Sequence, residues 1–136
     1  MQNMASTHPP GSKHVLIIED QFLLSRQMSQ ELRARGFETV GPGANLTEAE
    51  TLARDAPVDG AVVCSWSRDE MVFSAVRMLM ERHVPFIYVS ADDSHRPDWL
   101  PPVDSFGGDA PMADVIDRVA TMLGMSRPAG NLRNGG

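Results

Sequence analysis

The sequence of 136 residues contains one cysteine, Cys64, and one lysine, Lys13, whereas the other eleven basic residues are all arginine. A single cysteine cannot form an internal disulfide, and it excludes any metal site built from several cysteines. The only lysine lies near the N-terminus, which excludes any function that requires a lysine later in the chain.

Long apolar runs and an excess of positive charge are also missing. No stretch approaches the ~20 apolar residues of a transmembrane helix, and residues 1–13 lack the apolar centre of a signal peptide. With 18 acidic against 12 basic residues and a net charge of −6, the chain lacks the basic surface of nucleic-acid-binding proteins. We therefore expect a soluble, cytoplasmic protein that binds neither membranes nor nucleic acid.

Strand-like and helix-like patterns alternate along the chain. The predicted strands are His14 to Asp20, Phe37 to Val40, Val58 to Cys64, Pro85 to Ser90 and Val103 to Phe106. The predicted helices are Gln21 to about Arg35, a second one capped by Thr47 with Glu50, a third from Asp69 to about Arg82, and a last one that includes Met112 and stops at Gly124. This alternation indicates an α/β fold with a doubly wound, five-stranded parallel sheet in the flavodoxin-like order 2-1-3-4-5.

The length fits one domain, which we place at residues 13–124. Its predicted core includes five apolar strand residues: Ile17, Val62, Val63, Ile87 and Val89. Only residues 91–102 separate the last two strands, and three of them are proline, so the fourth helix of such a fold should be shortened or absent. The two ends, residues 1–12 and 125–136, have no apolar face and are predicted to be disordered.

Two strands end in side chains of chemical interest. Glu19 and Asp20 end the first strand, and Cys64 ends the third. Because the carboxyl ends of parallel strands share one edge of the sheet, the three residues should meet at one pocket. Two acids and a thiol make a poor site for Mg²⁺, which prefers oxygen ligands, so at most weak Mg²⁺ binding to Glu19 and Asp20 is expected.

These residues also have simpler interpretations. The two acids could cap the first helix, where negative charge is favourable. Cys64 could be a small buried apolar residue, since free cysteine packs well in protein interiors. A thiol-based sensor at Cys64 is a further alternative, although neighbouring carboxylates would raise the pKa of the thiol and reduce its reactivity.

The segments VLIIED, VDGAVVC and FIYVSA, together with the order of strands and helices, resemble a bacterial response-regulator receiver domain of the CheY-like kind over about Lys13 to Gly124. The resemblance implies that an acidic pair and a third aspartate bind Mg²⁺. It also implies that the third aspartate accepts a phosphoryl group, that a lysine contacts this group, and that a serine or threonine reports it. By this resemblance Glu19 and Asp20 match the acidic pair, and Ser90 matches the switch hydroxyl.

The chain departs from the receiver pattern at two positions. Cys64 stands where the resemblance places the phosphoacceptor aspartate, and no lysine is available around residues 107–110. Arg68 could supply a replacement cation or could simply be solvated. An engineered aspartate-to-cysteine change would explain the first departure but not the second, so a naturally degenerate pseudo-receiver is favoured.

The sequence thus predicts a non-enzymatic module of two-component (phosphorelay) signalling that acts by protein–protein interaction, without a cofactor beyond weakly bound Mg²⁺. The expected partners are signalling proteins such as a histidine kinase or a regulator, and a homodimer is a further option. Two aromatic residues, Trp66 and Trp99, are candidate partner contacts, although both could instead cover the edges of the core. Ser90 with Phe106 or Tyr88 could form a residual switch. The alternatives are a working phosphoacceptor with a rewired site and a thiol sensor.

Overall fold

The computed structural model describes residues 12–43, 45–66, 70–90, 103–107 and 109–124. Its five strands are β1 (His14–Glu19), β2 (Glu38–Val40), β3 (Gly60–Ser65), β4 (Phe86–Ser90) and β5 (Ser105–Gly107). They form one sheet in the order β2-β1-β3-β4-β5, and all four strand pairs are parallel. The predicted fold and strand order are confirmed.

Four helices cover the two faces of the sheet in the described part of the chain. They are α1 (Ser25–Ala34), α2 (Leu46–Asp55), α3 (Glu70–Glu81) and α4 (Met112–Met122). The first and last helices contact each other on one face, where Arg35 forms an ion pair with Asp117, and the middle two contact each other on the opposite face. None of the described helices is long and apolar enough to cross a membrane.

The core is divided by the sheet into two apolar clusters. Ile17, Val62, Ile87 and Val89 pack with α1 and α4, and Val63 packs with α3 on the other face. All five are buried, as the sequence predicted. This division follows from strand geometry, because successive side chains point to opposite faces.

The first helix starts four residues later than predicted, at Ser25 instead of Gln21. Phe22 adopts a left-handed backbone conformation with φ of 56°, which a helix cannot include. The residue at the N-cap position, Leu24, provides no side-chain acceptor for the first helical amides. These amides are instead bound by the carboxylate of Glu19, so a contact with the end of β1 sets where α1 begins.

The cap of α2 also differs from the prediction. Asn45, and not Thr47, is the N-cap residue, and its side-chain oxygen accepts a hydrogen bond of 2.9 Å from the backbone N–H of Glu48. The carboxylate of Glu50 does not close a capping box, since it accepts a hydrogen bond from the hydroxyl of Ser74 on α3. The predicted cap, Thr47, therefore lies two residues after the observed one.

The cap of α2 by Asn45 leads to a testable prediction. Asn45→Ala should lower the free energy of unfolding by about 1 kcal/mol, because one amide at the start of α2 loses its partner. Thr47→Ala should change it by less than about 0.5 kcal/mol, as expected for an exposed residue without a capping role. Urea unfolding of the two variants measures the difference. Equal losses in the free energy of unfolding would contradict the role of Asn45 and would favour the capping box of Thr47 and Glu50.

The other element ends lie within one or two residues of the predicted ones. The third helix ends at Glu81 because His83 takes a left-handed conformation with φ of 60°, and the amides of His83 and Val84 bond back to carbonyls of the last turn. The segment 91–102, where a shortened helix was expected, lies outside the described residues. The same holds for both ends predicted to be disordered, apart from Ser12.

Candidate functional site: an acidic edge held by Trp66

The carboxyl ends of the central strands bring the predicted site residues to one edge of the sheet. Glu19 on β1 is the register partner of Cys64 on β3, and Cys64 is in turn the partner of Val89 on β4. Ser90 lies one step further on and pairs with Gly107 of β5. The structure therefore places Glu19, Asp20, Cys64 and Ser90 around a single edge, which we call the acidic edge.

Glu19 is fully buried, and its carboxylate accepts hydrogen bonds on both oxygens. One oxygen accepts from the backbone N–H groups of Leu24 and Ser25 at 3.1 and 2.8 Å. The other accepts from the N–H groups of Leu23 and Leu24, both at 2.9 Å, and from the indole Nε1–H of Trp66. Among the described residues, burial of the carboxylate is thus compensated by neutral donors and not by a cation.

Asp20 is directed towards the end of β3. Both of its carboxylate oxygens lie within hydrogen-bonding distance of the backbone N–H of Trp66, at 3.0 and 3.2 Å. Trp66 therefore contacts both acids, one through its main chain and one through its side chain. Of the two acids, Glu19 makes the helix-capping contacts that the simpler interpretation proposed.

Cys64 belongs to the apolar cluster beneath this edge and has no exposed surface. Burial raises the pKa of its thiol far above the ordinary value, and the negative charges of Glu19 and Asp20 raise it further. The thiol therefore stays protonated at physiological pH. Such a group is a weak nucleophile and a poor metal ligand.

The chemistry of this edge does not fit Mg²⁺. A carboxylate offers about four lone-pair positions, and four donors occupy them: the backbone N–H groups of Leu23, Leu24 and Ser25, and the indole N–H of Trp66. A protonated thiol occupies the position where a third oxygen ligand would be needed. Among the residues that the structure describes, no group of three or more His, Cys, Asp and Glu side chains is arranged to hold a metal ion.

The candidate switch residues lie on different faces of the sheet. Tyr88 is buried in the cluster beneath α3, whereas Phe106 is partly buried against the cluster that contains Cys64. Ser90 is buried at the end of β4. Phe106 and Cys64 are thus on one face, so the two alternatives for a residual switch, Ser90 with Phe106 and Ser90 with Tyr88, involve aromatic residues on opposite faces of the sheet.

Positive charge is not supplied to this edge by a lysine. Lys13 precedes β1 and lies at the opposite edge of the sheet. Where the resemblance placed a lysine, the described residues are Gly107, Asp109 and Ala110. Arg68 and Trp99 lie outside the described residues, so their proposed roles stay predictions.

Two features of the acidic edge were missed from the sequence. One is the role of Trp66, which is only partly exposed and packs against the core, as its simpler interpretation required. The other is the pair Phe22 and Leu23, two residues that are 45% and 68% exposed and lie two and three positions after Asp20 in the chain. The motif QFLL gave no signal for this, since its apolar residues fit a helical pattern.

Comparisons with solved structures identify the fold. The chain is similar to the receiver domain of the response regulator PhyR from Erythrobacter litoralis, with 23% identity, a TM-score of 0.69, and coverage of 88% of this chain and 96% of that one. A response regulator receiver protein from Sinorhizobium medicae gives 18% identity and a TM-score of 0.70, with coverage of 84% and 96%.

A third similar structure is the receiver domain of a sensor histidine kinase from Pseudomonas aeruginosa, which holds a magnesium ion in its active-site cleft. It shares 17% identity with this chain at a TM-score of 0.66, and covers 83% of this chain and 98% of that one. No protein-family model matches the sequence, and no curated protein matches it at a significant level. The chain therefore has the fold of a CheY-like response regulator receiver domain.

Proposed function

We propose that this chain is a receiver-like module of two-component signalling that binds partner proteins and is not phosphorylated at the position of Cys64. The observation that carries this proposal is the state of Glu19, whose oxygens are taken up by three backbone amides and one indole N–H. Phosphoryl transfer depends on cations that neutralise the developing charge. An acid already bound by neutral donors is badly suited to hold such a cation.

The missing nucleophile supports the same conclusion. A phosphoacceptor needs an ionised oxygen at the strand end, and Cys64 presents a buried thiol with a raised pKa. In the described residues 107 and 109–110, no basic side chain replaces the lysine that would contact a phosphoryl group. Enzymatic activity is therefore not expected.

Exposed apolar residues support a binding role. Phe22 and Leu23 point into solvent next to the acidic edge, and the hydrogen bond from the Leu23 amide to Glu19 helps to hold this loop in place. A fixed apolar surface can bind with little loss of conformational entropy. The proposed partners are signalling proteins such as a histidine kinase, another regulator or a second copy of the chain.

The proposal is tested with a small phosphodonor. After incubation with acetyl phosphate and excess Mg²⁺, intact mass should show no phosphoryl adduct. Beryllofluoride with Mg²⁺ should cause no localised amide NMR shifts at Cys64, Ser90 or Phe106, because the described residues of the edge offer neither a nucleophile nor a cation site.

An ordinary receiver domain with an intact aspartate, treated in parallel, confirms that the donor is active. Saturable shifts at those three residues, or an adduct that requires Mg²⁺, would overturn the proposal in favour of a rewired phosphoacceptor. An adduct whose site maps to Cys64 would identify the thiol itself as the acceptor.

A further inference from the structure

Trp66 makes an unusual combination of contacts at the end of β3. Its backbone N–H binds Asp20, and its indole N–H binds Glu19, so one residue donates to both acids. Its ring also packs against the apolar cluster that contains Cys64. Three separate contacts therefore hold Trp66 in this position.

The hydrogen bonds to Glu19 divide into two groups with different origins. Leu23, Leu24 and Ser25 donate from the backbone at the start of α1, and these bonds do not depend on which side chains occupy those positions. The indole hydrogen bond comes from the side chain of Trp66, the residue that follows β3. Only this last donor can be removed by a substitution without changing the backbone at α1.

We propose that Trp66 is an internal occupant of the acidic edge: its two N–H groups bind Glu19 and Asp20 in the place of a divalent cation and close the edge to metal ions. Two neutral N–H dipoles stabilise the paired negative charges without introducing a full positive charge. In this arrangement a metal ion must displace the indole before it can use Glu19. The loss of metal binding is therefore caused by Trp66 as well as by Cys64.

This inference deepens the proposed function and rests on it only because both concern Glu19, Asp20 and Cys64. A phosphoryl adduct in the mass experiment would overturn the function, whereas a metal titration addresses Trp66 separately. The Mg²⁺ affinity of Cys64→Asp distinguishes an effect of Cys64 alone from a combined effect of Cys64 and Trp66. If Cys64 alone were responsible, Cys64→Asp would be sufficient to restore tight Mg²⁺ binding.

The test is a Mg²⁺ titration, followed by amide NMR, of four proteins: the unmodified chain, Cys64→Asp, Trp66→Ala and the double variant. Cys64→Asp should give only a small gain in affinity, because Glu19 remains bound to the indole. Adding Trp66→Ala to it should lower the Kd for Mg²⁺ at least tenfold further. An equal Kd for Cys64→Asp and the double variant would overturn the proposal.

Trp66→Phe in the Cys64→Asp background is the matched control. It keeps an aromatic ring against the core but removes the indole N–H, so its Kd should lie between those of Cys64→Asp and the double variant. A Kd equal to that of Cys64→Asp would show that ring bulk, and not the hydrogen bond to Glu19, excludes the metal, and would contradict the proposal.

A measurement on the unmodified protein applies even if a variant fails to fold. The indole N–H resonance of Trp66, assigned by through-bond and through-space NMR experiments on the unmodified protein, should exchange slowly with solvent and should not move when millimolar Mg²⁺ is added. A saturable shift of this resonance with Mg²⁺, or exchange at the rate of free indole, would contradict the proposal.

Discussion

Glu19→Ala should lower the free energy of unfolding by about 3 kcal/mol or more, since an unpaired buried donor costs about 1–3 kcal/mol. The substitution removes the acceptor of the backbone N–H groups of Leu23, Leu24 and Ser25 and of the indole of Trp66. Alanine also leaves a cavity at a position that has no exposed surface. Since Leu24 provides no cap of its own, the first turn of α1 should fray as well.

Urea unfolding at neutral pH measures this loss, and hydrogen exchange of the amides of residues 23–25 measures the fraying. Glu31→Ala is the matched control, because Glu31 is an exposed acid on the same helix. It should change stability by less than about 0.5 kcal/mol. The loss of stability for Glu19→Gln should lie between the losses for Glu19→Ala and Glu31→Ala, since glutamine keeps one carbonyl oxygen but turns an NH₂ group towards N–H donors. A loss for Glu19→Ala no larger than that for Glu31→Ala would show that water replaces the carboxylate at little cost.

The stability of the protein should fall as pH rises above the ordinary pKa of a cysteine, about 8.5, and Cys64 should be the cause. In the folded state the pKa of the Cys64 thiol is raised by burial and by the charges of Glu19 and Asp20. Above pH 8.5 the unfolded chain therefore loses the thiol proton while the folded chain retains it. The unfolded state then binds fewer protons, and stability decreases by up to about 1.4 kcal/mol per pH unit.

The measurement compares urea unfolding of the unmodified protein and Cys64→Ala between pH 7.5 and about 10.5, under reducing conditions. The informative quantity is the difference between the two proteins in the slope of the free energy of unfolding against pH, because tyrosine, lysine and any other titrating group contribute equally to both. The same burial should make native Cys64 react with a thiol reagent at least ~100-fold more slowly than the unfolded chain. Parallel pH curves together with fast native labelling would support a reactive thiol, and hence the thiol-sensor alternative.

The sequence by itself determined the fold and the location of the acidic edge. Strands rich in valine and isoleucine alternate with amphipathic helices, and this pattern permits few arrangements other than a doubly wound parallel sheet. Because the carboxyl ends of parallel strands share one edge, Glu19, Asp20 and Cys64 could be brought together from their strand positions alone. The five predicted core residues followed from the same periodicity.

Only the tertiary structure decided what these residues do. Glu19 is 47 positions from Trp66, and no local pattern indicates that an indole will reach it. The start of α1 was predicted too early for a related reason, since its cap comes from Glu19 at the end of β1, four to six residues before the amides that it binds, and not from the N-cap residue. Helical periodicity and local capping motifs report interactions over three or four residues. The bonds from Glu19 to residues 23–25 span four to six residues and do not follow a capping motif, and the bonds from Trp66 join two separate strands, so they exist only once the sheet has formed.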